Sequence, residues 1–144
     1  MQKNDKKKAA LSEYREALKE LEYWVDTLAR MDHGGQQAQT FTARIRESTK
    51  ARSPEMKAIE RSMAEENKRR ATAKAQDARE RVMALIDTVQ DADQRILLMR
   101  RYIDGMTWDD IAEAFGRSRT WATNTHGTAI KAVAEPVEKT VKKC

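Results

Sequence analysis

The sequence is short of everything that would make a compact mixed or β-rich globule. Of 144 residues, 5 are glycine, 2 proline and 1 cysteine, and aromatics make up 6%. Few glycines and prolines mean few obligatory turns, and few aromatics argue against strands. A single cysteine, Cys144, excludes an internal disulfide and reads as a free terminal thiol in a reducing compartment. No apolar run approaches the roughly 20 residues a membrane span needs. The lysine-rich start, Met1 to Lys8, is followed by no apolar stretch, so it is not expected to be a signal peptide. No glycine-rich phosphate loop is present, and His33 and His126 stand far apart without cysteine partners. A catalytic phosphate site, a metal centre, a cofactor site and an enzyme are therefore not expected.

Charge and helix-forming residues are abundant instead. Charged residues are 35% of the chain and the formal net charge is +5. Residues 1–34 carry 7 basic and 7 acidic groups, 35–90 carry 12 and 8, and 91–144 carry 9 and 8. The excess of positive charge is compatible with nucleic-acid binding without establishing it.

Leu11, Tyr14, Leu18, Leu21, Val25 and Leu28 recur at steps of three and four, widened by Trp24 and Met31. This heptad stripe predicts a helix from about Asp5 to His33, stopped by Gly34-Gly35. Residues 34–52 lack a helical period and read as a loop. Ser53-Pro54 is a helix start, with serine as N-cap and proline at the first helical position. Met56, Ile59 and Met63, then Ala71, Ala75, Ala78, Val82, Leu85 and Val89, carry an apolar face onward. Leucines on one helix and alanines on the other predict an antiparallel, coiled-coil-like hairpin. A coiled-coil hairpin that only holds the molecule together is the reading preferred over a specific binding role for these helices.

Beyond Asp91 the pattern shortens to three helices. The first is expected over Asp93 to Asp104 and ends at Gly105. Thr107 caps the second, with Asp110 at the capping-box position and Met106 and Ile111 placed for a hydrophobic staple. Gly116 marks a turn, and Ser118 caps the third helix, which runs to about Val133 ahead of Pro136. Helix, glycine turn and helix, with Ala112 at the crossing, is the helix-turn-helix arrangement. Its expected core is Ile111, Ala112, Phe115, Gly116, Ala122 and Ile130.

The charges separate the two helices of this motif. Residues 107–115 hold Asp109, Asp110 and Glu113 and no base, whereas 114–134 hold Arg117, Arg119 and Lys131 and no acid. Phosphate is repelled by the former and accepted by the latter. Arg117, Ser118, Arg119, Thr120, Thr123, Asn124 and Lys131 are the candidate DNA-binding residues, since arginine pairs with guanine and asparagine with adenine. A helical hairpin with a merely polar outer face is the competing reading; the caps, the turn and the charge segregation together favour DNA. His126 is expected to pack or to touch phosphate.

The segment Leu98-Met99-Arg100-Arg101-Tyr102-Ile103-Asp104-Gly105, then Thr107-Trp108-Asp109-Asp110-Ile111-Ala112, Ser118 and His126-Gly127-Thr128-Ala129-Ile130, resembles region 4 of bacterial sigma factors. More closely, it is similar to phage-encoded regulators of late genes, the ArpU and RinA type, over about the last third of the chain. The resemblance implies promoter DNA binding in the host cytoplasm, contact with host RNA polymerase, and base-facing sites at Arg119, Thr120, Thr123 and Asn124. The expected protein is thus all-α. It has a two-helix arm (1–90, loop 34–52), a helix-turn-helix domain (91–135) and a basic tail (136–144). It is expected to bind double-stranded DNA as a homodimer joined through the arm. The alternatives are a small-terminase-like subunit for phage DNA packaging and an adaptor that docks on RNA polymerase without touching DNA.

Overall fold

The computed structural model describes residues 2–33 and 53–136. All regular structure among them is helical, in the order α1 (Gln2–Leu11), α2 (Glu13–His33), α3 (Pro54–Ile86), α4 (Ala92–Tyr102), α5 (Trp108–Phe115) and α6 (Arg119–Ala132). The all-α expectation holds, with a helix-turn-helix at the C-terminal end. The predicted loop 34–52 and most of the basic tail, Cys144 included, lie outside the described residues.

The chain forms two compact units, Met1–Glu16 with Ala75–Cys144, and Ala17–Lys74. This grouping does not share a boundary with the division at 90/91 expected from sequence. The reason is physical. Three helices of 8 to 14 residues cannot cover one another's apolar faces, and the missing cover comes from two separate segments earlier in the chain. Leu11, Val82, Ile86 and Val89 are at most 1% exposed and share one core with Leu97, Leu98, Ile111, Ala122, Ala129, Ile130 and Val133.

The expected first helix is divided at Ser12. Backbone bonds nevertheless continue across it, from Ser12 N to Lys8 O (2.9 Å) and from Glu16 N to Ser12 O (3.0 Å). In α3, the Ser53 hydroxyl accepts from the Met56 amide at 3.1 Å, the N-cap bond expected of Ser53-Pro54.

Within Ala17–Lys74, α2 and α3 run antiparallel. Asp32 pairs with Arg61 at 2.5 Å, and Glu20 with Lys74 at 3.7 Å. That register sets Leu28 close to the level of Ala64 and Leu21 close to that of Ala71. Leu28, Ala64 and Ala71 are buried, as leucine over alanine predicts. Val25 and Met31, expected in the seam, are exposed instead, together with Tyr23, Met56, Ile59 and Met63.

Candidate nucleic-acid interface

The geometry of the site is set by short-range capping. Thr107 is extended (φ −74°, ψ 164°) and its hydroxyl accepts from the Asp110 amide at 3.1 Å, starting α5. Gly116 ends it in the left-handed region (φ 66°, ψ 35°). The Arg117 amide donates to Ala112 O (2.9 Å) and the Gly116 amide to Glu113 O (3.0 Å). These two bonds make a Schellman turn, and a residue with a Cβ would be strained there. Two residues after Gly116, Ser118 (φ −82°, ψ 162°) accepts from the Trp121 amide at 3.0 Å and starts α6. Two caps and one glycine therefore fix the angle between α5 and α6.

The helical period then sorts the side chains of α6. Ala122, His126, Ala129 and Ile130 point inward. Ala112 (5% exposed) and Ala122 (0%) are the small residues at the α5–α6 crossing, and Ile111 and Ile130 close the interior. Phe115 is half-buried against Trp121, ring centroids 5.0 Å apart. Gly116, grouped with the core in the sequence reading, is exposed; its part is the turn conformation.

Every sequence-predicted DNA-facing residue, Arg117, Ser118, Arg119, Thr120, Thr123, Asn124 and Lys131, is exposed. The Arg117 guanidinium lies 5.0 Å over the Trp121 ring, which holds it at the turn. Arg119 reaches Asp109 at 3.8 Å, but both side chains stay mostly solvated, at 64% and 76% exposed, so the pair is weak and open to competition. The Thr123 hydroxyl donates to Thr120 O at 3.2 Å, leaving its oxygen able to accept. Asp109 and Asp110 lie in the first turn of α5, where the helix dipole favours negative charge.

Behind this face is an aromatic brace. Tyr102 Oη lies 2.7 Å from His126 Nε2, a hydrogen bond between α4 and α6. Trp108 of α5 meets the imidazole edge-on at 4.7 Å, and the Arg101 guanidinium lies over the Trp108 ring at 4.3 Å. Arg101 also donates to Met106 O at 3.1 Å, pinning the α4–α5 turn. Burial, then the positive charges of Lys8 and Arg101, lower the His126 pKa to about 4, so it is neutral at physiological pH. Burial also pushes the Tyr102 phenol up to about 12. Of the two roles open to His126, its burial assigns packing.

Sequence reasoning missed the contribution of α1. This helix packs against α6. Lys7, only 7% exposed, donates from Nζ to Lys131 O at 3.2 Å, satisfying a carbonyl at the negative end of α6. Arg15 donates to Ile103 O at 3.4 Å beside Gly105. A Cβ at Gly105 would lie 2.5 Å from the Arg15 guanidinium carbon, the far end of a flexible side chain that can shift, so it is the φ of 74° that calls for glycine here. The only sequence signal was Leu11 at the head of the heptad stripe, and it was read as part of the arm.

Residues 90–128 match a family described as Homeodomain-like domain. The match takes in α4, α5 and the first part of α6. It agrees with the geometry: this part of the chain is a helix-turn-helix domain of the DNA-binding kind. No curated protein and no solved structure matches the chain significantly. Among the described residues, no helix is long and apolar enough to cross a membrane, and no cluster of His, Cys, Asp or Glu is placed to hold a metal.

Proposed function

We propose that this chain is a sequence-specific DNA-binding regulator of transcription that inserts α6 into the major groove. The observation that carries the reading is the outer face of α6. Arg119, Thr120, Thr123 and Asn124 stand exposed on it, and no carboxylate occurs between residues 114 and 134. Arg119 and Asn124 supply base-edge recognition, and Arg117, Ser118 and Lys131 supply phosphate contacts.

A single recognition helix reads few base pairs, so two copies are paired in this reading. Exposed Tyr23, Val25, Met31, Met56, Ile59 and Met63 on the Ala17–Lys74 unit supply apolar surface for that pairing. The likeness to phage late-gene regulators and to sigma region 4 supports a reading in which the target is promoter DNA, bound alongside host RNA polymerase in the host cytoplasm.

The test is selection of bound sequences from a random DNA pool, followed by titration of the preferred site. Arg119→Ala and Asn124→Ala are each expected to weaken that site by about 1–3 kcal/mol and to relax the base preference. Unchanged affinity and preference in both variants would remove α6 as the reading element. Absence of binding even at low salt would favour the protein-docking adaptor. A ring of many subunits by solution mass would favour the small-terminase-like role.

A further inference from the structure

Helix α1 carries Lys3, Lys6, Lys7 and Lys8 against a single acid, Asp5. In sequence it lies more than a hundred residues from the recognition helix, yet it is anchored on it. Lys7 is spent internally: its ammonium is held under the surface by the Lys131 carbonyl, and Leu11 is fully buried in the helix-turn-helix core. Lys6 and Lys8 flank that anchor and remain exposed, as does Lys131. The charge of Lys8 is felt at His126 on α6, which it helps to keep unprotonated. The anchoring thus brings two solvated ammonium groups into the same unit as the α6 face, without any carboxylate of α6 to neutralise them.

We propose that Lys6 and Lys8 of α1, with Lys131, form a clamp for the phosphate backbone of duplex DNA at the C-terminal end of α6. The inference rests on the DNA-binding reading above and adds a second contact surface to it. A lysine ammonium is a point charge that grips phosphate without reading bases, so the clamp sets affinity and register, and α6 sets sequence choice. Lys7 acts as a positioning residue: its bond to Lys131 O holds the clamp in place.

The experiment is a salt titration of the full chain on its selected site and on an unrelated duplex, with Lys6→Gln/Lys8→Gln and Lys6→Arg/Lys8→Arg. Each lysine that displaces a counterion contributes about 0.9 to the slope of log K against log salt. The glutamine variant is expected to flatten the slope by about 2 and to weaken both duplexes equally, about fivefold to tenfold per lysine near 0.1 M salt. The arginine variant should restore wild-type slope and affinity. A glutamine variant whose slope equals wild type, while the wild type binds well, would overturn the clamp and leave the α6 reading intact. A wild type with no affinity for either duplex would overturn both. Weakening confined to the selected site would also overturn the clamp, because it would mean that α1 reads bases.

Discussion

The two compact units bury different kinds of side chain. In the unit that holds the C-terminal helices, Leu97, Leu98, Ile86, Ile111 and Ile130 are at most 1% exposed, and Tyr102 and His126 are bonded inside. Among the described residues of Ala17–Lys74, the buried apolar positions are Leu28, Ala64 and Ala71, while six large apolar side chains face solvent and exposed ion pairs tie α2 to α3. Branched side chains from several helices interlock in only one way and give a defined shape. Alanine against leucine along two parallel axes constrains position weakly. The first unit is therefore suited to holding α6 at a fixed angle, and the second offers surface.

The sharpest way to break this comparison is to truncate one apolar residue in each unit. Leu97→Ala, in the first unit, is expected to lose about 2–5 kcal/mol in denaturant unfolding, from lost burial plus a cavity. Ile59→Ala, more than half exposed in the second, should stay within about 0.5 kcal/mol. Equal losses would mean that the hairpin face is covered in solution, for instance by a second copy.

Acid should weaken the first unit through His126. Its proton affinity falls from the ordinary 6.5 to about 4 on folding, so the unfolded chain takes up the proton first as pH drops. This contribution is complete above about pH 6.5, lost progressively between 6.5 and 4, and flat below that. Its size is about 1–3 kcal/mol. Thermal melts across that window should show the loss in the wild type, and His126→Gln should remove this part of the pH dependence. A wild-type profile as flat as the variant's would mean that the imidazole is hydrated in the folded state.

Gly116→Ala tests the turn between α5 and α6. Nothing lies within 4 Å of an added Cβ, so only the φ of 66° is strained, and about 1 kcal/mol should be lost. DNA affinity should fall further than stability if the α5–α6 angle matters for groove entry. The smallest effect is expected for Asp32→Asn in the hairpin. Arg61 is solvated, and although Asp32 raises its pKa, water and salt screen the pair. A shift in melting temperature that survives high salt would show that the pair is more than a surface contact.

Much of the candidate site was readable along the chain. Thr107 and Ser118 bond the amides three residues on, and Gly116 takes the one conformation it is specialised for. These are interactions between near neighbours, which any helical context would produce. The exposure of Arg119, Thr120, Thr123 and Asn124 follows from the period of α6 once its start is fixed. Helix α4 begins slightly earlier than expected, at Ala92, because Asp91 accepts from the Gln94 amide at 3.0 Å; the cap was present in the sequence but was passed over.

What the sequence determined by itself, then, was the helical segments from Ser53 onward, the caps at Ser53, Thr107 and Ser118, and which face of α6 is free of acid, because each depends on residues within one turn of one another. The tertiary structure alone decided that α1 belongs with α6, that Lys7 closes the Lys131 carbonyl, that Arg15 fills the space beside Gly105, and that His126 pairs with Tyr102. Those contacts join residues 24 to 124 positions apart. They are chosen by which apolar surfaces remain uncovered once the helices exist, and no local pattern in the chain records that choice.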